Sequence, residues 1–511
     1  MPGFILMHRA GFLAALLLVY FSQAAFGAGE SDWFVPLGKP PDAPPKRISG
    51  GEGFPPLPLP ATPLRRSERH RQPSPPSLFG KVIWGEQGSF TYPGGNTTKI
   101  TDWNLCPADL HRLFDKVQGK LGLQYGYDEV SLSSFSGDPD KMALLFFSGT
   151  RTLKLDPQDL AKLRAYVLKG GMLCFDSVAG SPYFYESARA LMQQAFPELA
   201  WRQIPADHPL FHMVNDVNTV HYSANVASDK PQMEGLYVGS RIGVLLSKYG
   251  LGCGWDDHPV PLLQQAAYYD PPSAENIGMN LVAYVIGYNR VGMEESKPEL
   301  FAAVDEKTPT DEFVFAQLEH EGAYNVHPNS ATQLLSKLRT ATSLRVNLKR
   351  EVVDPSKDDL SNLSFLYLTG LDDFHLSDNA VTALRGFLQR NGTLLINNGL
   401  GLSTFDTAVR RELARVLPDA KLEPIPLSHS IFSDVVPVQA ADYTPAVAMR
   451  YPQLKTPKLE GITLNGDIRV IYSPIDLEAG WETTEYPLAL AYRADTATPL
   501  GMNILMYAAT H

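Results

Sequence analysis

One α/β unit occurs twice in this chain, 221 residues apart, and that repeat restricts the fold more than any other feature. The first copy runs Leu144-Leu145-Phe146-Phe147-Ser148-Gly149, then a capped helical stretch, then Met172-Leu173-Cys174-Phe175-Asp176. The second runs Phe365-Leu366-Tyr367-Leu368-Thr369-Gly370, a capped helical stretch, then Thr393-Leu394-Leu395-Ile396-Asn397. Unbroken apolar runs ending on a small residue suit strands covered on both faces, as in parallel sheets. Asp156-Pro157 reads as a helix start; Leu160, Leu163 and Val167 then share a face, and Gly170-Gly171 ends the helix. In the echo Ser377 caps, Val381, Leu384 and Leu388 form the matching face, and Asn391-Gly392 stops it. A helix joining two buried strands of one sheet requires a right-handed parallel crossover.

The correspondence extends well beyond this unit. Trp103-Asn104 and Pro107 answer Tyr324-Asn325 and Pro328, and Phe184, Pro197 and His208 answer Phe405, Pro418 and His429, all at 221. Later the offset drifts, to 226 for Trp255 and Trp481 and to 223 for Gly278-Met279-Asn280 and Gly501-Met502-Asn503. A register held over about a hundred residues with few indels is a duplicated domain. The expected fold is therefore α/β: two tandem three-layer α/β/α domains with mostly parallel sheets, packed pseudo-symmetrically.

Thr369-Gly370, Leu384-Arg385, Asn391 to Leu395, Pro418 and Gly501-Met502-Asn503 resemble a bacterial domain-of-unknown-function family, numbered 4159. The first copy carries the same likeness through Ser148-Gly149, Leu163-Arg164, Gly170-Gly171, Asp176, Asp207-His208-Pro209-Leu210 and Gly278-Met279-Asn280. The resemblance implies a flavodoxin-like fold akin to the class I glutamine amidotransferase group, and no activity.

The expected organisation is a signal peptide over 1–27, a proline-rich disordered linker over 28–80, a first domain over 81–290, a linker over 291–310 and a second domain over 311–511. His8-Arg9, the apolar run Ala10 to Phe21 and the small residues Ala25-Phe26-Gly27 point to export, with the mature chain periplasmic or secreted. A retained anchor is the alternative, although the run is barely long enough to span. No later run reaches membrane-spanning length. The spacer carries Arg65, Arg66, Arg69 and Arg71, read as a solvated cluster. A formal charge of −11 on 511 residues excludes a general nucleic-acid binder. Three cysteines make no disulfide scaffold, and Cys106 with Cys253 is the pairing to test.

In an open parallel sheet, ligands sit beyond the carboxyl ends of the strands near the switch in strand order. Asp176 falls at such an end, and Asp207, His208 and Arg241 are candidates to converge on it. Asp176, Asp207 and His208 have the chemistry to ligate a metal or to act as acid and base, with Arg241 orienting an anion. The second copy has Asn397 and Ser428 in place of the two aspartates, and retains His429 and Arg469. Cys253, the one cysteine suited to a nucleophile search, lies in Gly252-Cys253-Gly254, before a poor helix start and after a late strand. Trp255 and Trp481 offer sugar stacking or packing. The leading expectation is a non-catalytic binding or assembly module of the bacterial envelope, with an envelope protein or glycan as partner and no cofactor. A hydrolase or metal-dependent enzyme using the first domain alone is the alternative, and carbohydrate binding through Trp255 a weaker one.

Overall fold

The computed structural model describes residues 29–37, 75–224, 226–260, 262–296, 312–482 and 484–511. The expected signal peptide, the proline-rich stretch with its arginines and most of the interdomain linker lie outside the described residues.

The first sheet comprises β1 (Ser77–Ile83), β4 (Gly126–Ser131), β5 (Leu144–Gly149), β6 (Met172–Ser177), β7 (Arg202–Gln203), β8 (Met233–Val238) and β9 (Arg241–Ser247). A separate antiparallel hairpin, β2 (Gln87–Thr91) and β3 (Thr97–Thr101), stands beside it. The second sheet comprises β10 (Ala316–Leu318), β11 (Glu351–Val353), β12 (Phe365–Gly370), β13 (Thr393–Asn398), β14 (Glu423–Pro424), β15 (Glu460–Leu464) and β16 (Asp467–Ser473). The strand orders are β4-β1-β5-β6-β9-β8-β7 and β11-β10-β12-β13-β16-β15-β14. The first five strands of each sheet are parallel, in the 2-1-3-4-5 order of flavodoxin-like folds, and the last two add an antiparallel edge.

Strand alternation divides each core in two. Leu144 and Phe146 face one cluster while Leu145 and Phe147 face the other; Phe365 and Tyr367 separate from Leu366 and Leu368 in the same way. The central positions have matching surroundings: Phe146 packs 5.6 Å from Trp255, and Tyr367 5.9 Å from Trp481. The organising helices run Pro157–Leu168 and Asp378–Gln389. Ser377 Oγ accepts the Ala380 N–H as expected, whereas Asp156 occupies the cap position without a side-chain bond. Gly170 and Asn391, 221 apart, both take positive φ (110° and 67°), so each helix ends in a backbone conformation that favours Gly or Asn.

Three boundaries differ from expectation. The first sheet begins at Ser77, inside the expected spacer. The last helix of the first domain runs Pro271–Glu295: Asp270 Oδ1 accepting the Ser273 N–H and prolines at its first positions set the start, and burial of Tyr288 and Val291 in the core carries its last turns into the expected linker. Residues 29–37, also assigned to the spacer, form a 3₁₀ turn and bury Trp33 and Leu37 against the first domain.

The domains share a core: the first-domain cluster continues into Val326, Leu371, Leu400, Leu402 and Tyr486 of the second. Their contact is head-to-tail rather than two-fold. Arg202 and Asp207, on the antiparallel side of the first sheet, meet Asp372 and Ser403 at the carboxyl side of the second. Among the described residues no helix is long and apolar enough to cross a membrane.

Candidate functional site

The strand order places a switch point between β1 and β5 in the first sheet and between β10 and β12 in the second. At the first, polar groups are buried but paired. Lys81, mid-strand in β1, sends Nζ to both carboxylate oxygens of Asp109 (2.7 and 2.8 Å) and to Asn104 Oδ1 (2.8 Å). Trp84 Nε1 donates to the Ser148 carbonyl, and Ser148 Oγ to that of Trp103. The chain's own segment 29–37 then covers this edge. Thr150 Oγ1 donates to the Trp33 carbonyl (2.7 Å), the Thr152 N–H to Glu30 Oε1 (2.7 Å), and the Arg151 guanidinium stacks 3.9 Å from Phe34. Thr150 and Arg151 answer Leu371 and Asp372, where the first domain abuts the second. The amino-terminal segment thus closes on the first domain an edge that the first domain only partly covers on the second, where Arg202 stands 3.9 Å from Asp372.

The residues singled out from the sequence sit in three places. Asp176, at the carboxyl end of β6, is fully buried and accepts the Leu251 and Gly252 N–H groups (2.6 and 2.8 Å). Burial raises its pKa to about 7 against the pull of those bonds. It caps the short helix Gly252–Asp256, which has no local start signal because its cap comes from 75 residues away. Asp207 reaches across the domain interface to the first turn of the helix Ser403–Val416, accepting the Ser403 N–H and Oγ–H (2.5 and 2.6 Å). His208 Nδ1 accepts the Leu210 N–H (3.1 Å) in a buried turn that lowers its pKa to about 3. Its copy His429 makes the same bond to Ile431.

Arg241 begins β9. Register pairs Asp176 with Ser247, six residues on, so Arg241 lies roughly 20 Å away at the opposite edge of the sheet. There its guanidinium donates to the Gly171 and Val167 carbonyls and closes the helix Pro157–Leu168. Arg241 therefore does not converge with Asp176. Trp255 and Trp481 are buried, and their indole N–H groups donate to the Ala274 and Ala497 carbonyls. Both act as packing anchors, against Phe146 and Tyr367.

Cys106 Sγ and Cys253 Sγ lie 3.6 Å apart, buried, and the neighbouring thiol together with burial holds Cys106 well above the usual thiol range. Treating the folded chain with oxidised glutathione is expected to close this pair, leaving only Cys174 open to alkylation after unfolding without reductant. Three labelled thiols in the mass spectrum would sink the pairing.

A dense charged cluster lies in the second copy; three of its members stand where the first copy has neutral or sulfur-bearing groups, while Glu482 answers Asp256. His327 answers Cys106, Asp476 answers Gly250 and Glu478 answers Gly252. His327 is fully buried, with Nε2 3.0 Å from Asp476 Oδ2 and Nδ1 3.5 Å from Glu482 Oε2. Asp476 also accepts the Leu400 and Glu478 N–H groups, and Asn397 bridges by donating to Asp476 Oδ1 and accepting from Leu477. Glu295, at the end of the last first-domain helix, enters from across the interface and accepts from Ser240 Oγ (2.8 Å). Burial raises Glu295 and Glu478 to about 7. Burial opposes charging His327, but Asp476 and the other carboxylates win and hold its pKa well above the ordinary value.

None of this cluster was singled out from the sequence. Asp476, Glu478 and Glu482 follow the last apolar strand at spacings of two and four, a legible sign of carboxylates gathered on one turn. Glu295 carried no such sign.

Beyond the carboxyl ends of β10 and β11, a groove of about 740 Å³ opens between the domains. Glu319, Glu321, Tyr324 and Lys357 line it from the second domain, and Leu168, Arg202 and Tyr237 from the first. A family model described as a domain of unknown function, DUF4159, matches residues 97–286 and again residues 314–509. The chain belongs to the DUF4159 family. The second match spans the whole second sheet and the first takes in every strand of the first sheet except β1, so this DUF4159 protein is a tandem duplication in structure and in family membership alike. No curated protein matches it.

Proposed function

We propose that this DUF4159 protein is a non-catalytic binding protein of the bacterial envelope. It takes a polar ligand in the groove where the first domain walls the carboxyl edge of the second sheet. One observation carries the reading: of the two switch-point edges, the first is covered by the chain's own residues 29–37, while the second opens into the 740 Å³ groove. Open α/β sheets bind at such edges, and clefts between domains are the usual place for small ligands. The lining mixes acids with Arg202 and Lys357, which suits a zwitterionic or mixed-charge ligand such as a short peptide or a soluble cell-wall fragment. Export to the envelope is part of the proposal and rests on the first 27 residues.

The likeness to amidotransferase-like folds supplies scaffold rather than chemistry in this reading. Cys253 faces Cys106 inside the protein, Asp176 and His208 hold backbone, and Asp207 caps a helix of the other domain. Calorimetry against short peptides and soluble cell-wall fragments tests it. Saturable binding is expected, weakened tenfold or more by the paired groove changes Lys357→Glu and Glu321→Lys. Turnover of amide or ester substrates that Asp176→Asn abolishes would overturn it in favour of a first-domain hydrolase.

A further inference from the structure

The His327 cluster is independent of the groove reading and supports a ligand of its own. We propose that His327, Glu482 and Glu295 hold a divalent transition-metal cation, of the zinc class, that ties the two domains together.

The 3.0 Å contact between His327 Nε2 and Asp476 Oδ2 needs the hydrogen on Nε2. The Nδ1 lone pair of the neutral ring then faces Glu482 Oε2 at 3.5 Å, acceptor against acceptor. Nδ1 has no hydrogen-bond partner among the described residues, and neither has Glu295 Oε2, though both are shut off from water. A second proton on Nδ1, which the surrounding carboxylates favour, does not repair this well: 3.5 Å from Glu482 is at the limit of a hydrogen bond, and Glu295 Oε2 stays unpartnered. A cation between the three groups does: it satisfies Nδ1, Glu482 and Glu295 together and offsets the burial of several carboxylates.

Geometry and chemistry agree. One donor atom from each of Glu295, His327 and Glu482 can be chosen so that all lie within 4.8 Å of one another. Around zinc, with bonds of about 2.0–2.1 Å, donors sit about 3.3 Å apart, so the site closes by a contraction of at most about 1.5 Å between any two donors. One imidazole with two carboxylates selects a borderline metal over calcium or magnesium, which take oxygen ligands. Asp476 supplies the outer carboxylate that orients a metal-bound histidine through its other nitrogen. Three protein ligands leave a fourth position open, as in zinc sites that bind water or a substrate.

The test uses the full chain, stripped with chelator, dialysed and titrated with Zn²⁺, Mn²⁺ and Co²⁺. One zinc per chain by elemental analysis is expected, with a rise in the thermal midpoint and visible Co²⁺ absorption bands of a low-coordinate site. Glu295→Gln, at the edge of the cluster and spared the core, should weaken zinc at least tenfold, and Asp476→Asn by about 10–100-fold. Failure of the wild-type chain to take up any of the three cations would overturn the site. So would zinc affinity unchanged in both Glu295→Gln and His327→Gln.

Discussion

Replacing Lys81 by methionine is expected to destabilise the first domain by about 3–5 kcal/mol, the cost of removing one partner from a buried ion pair. The ammonium lies 2.7 Å from Asp109, and both side chains are within 2% of full burial. Methionine fills the volume of the aliphatic stem but leaves the carboxylate with the Leu110 N–H as its remaining close donor. Burial already pushes Asp109 upward against the pull of Lys81, so removing the lysine drives it further towards the protonated form. The double variant Lys81→Met with Asp109→Leu should regain most of the loss, since replacing both charges is far cheaper than stranding one. Denaturant unfolding of the two variants measures this. A single variant within about 1 kcal/mol of wild type would show that the pair is not desolvated as the structure has it.

The same position shows how the two copies have diverged. Lys81 pairs in register with Phe146, and Gln317 occupies the equivalent place opposite Tyr367. Gln317 donates to the Tyr324 carbonyl and accepts from Arg350, a neutral substitute for the ion pair. Charge is thus kept near β1 in the first copy and near the end of β16 in the second. Both copies preserve a left-handed residue after the fourth parallel strand, Ala179 and Leu400, each with φ of 55°. In the second copy Asp476 takes the Leu400 N–H; in the first, Gly250 leaves room where an added Cβ would meet the Ala179 nitrogen at 2.8 Å.

What the sequence revealed was local. Apolar runs, the helix faces of Leu160, Leu163 and Val167, and the stops at Gly170 and Asn391 depend on neighbours a few residues away, so the duplicated sheets were readable. The site was not, because its groups are assigned by distant partners. Asp207 resembled an acid beside a histidine, yet its hydrogen-bond partners lie 196 and 197 residues away in the other domain. Arg241 looked convergent with Asp176 until strand direction placed it at the other end of β9. Reading the second copy by the loss of Asp176 and Asp207 also hid what it gained. His327, Asp476 and Glu478 stand at positions where the first copy has Cys106, Gly250 and Gly252.

Acid should weaken the wild-type chain relative to His208→Asn, by roughly 3 kcal/mol between pH 6.5 and 4, at about 1.4 kcal/mol per unit for a buried group held neutral. His208 is fully buried and burial lowers it to about 3; Asp207 draws it back up a little and His212 pushes it down. The rings of Tyr237 and Tyr284 pack 5.7 Å away, and Nδ1 accepts the Leu210 N–H, so a proton on that nitrogen destroys the turn. A folded-state pKa below the unfolded one gives stability that is complete above about 6.5 and lost as pH falls towards 3. Asparagine keeps an acceptor at the cap and does not titrate. Asp176→Asn should tilt the other way. Its carboxyl is raised to about 7 from an unfolded value near 3.8, so its contribution is complete below 3.8 and lost as pH rises through 7. Thermal midpoints of the three proteins from pH 4 to 8 therefore give two difference curves of opposite slope. Parallel curves for wild type and His208→Asn would mean that the folded chain protonates this imidazole without cost, which the absence of any partner at Nε2 among the described residues argues against.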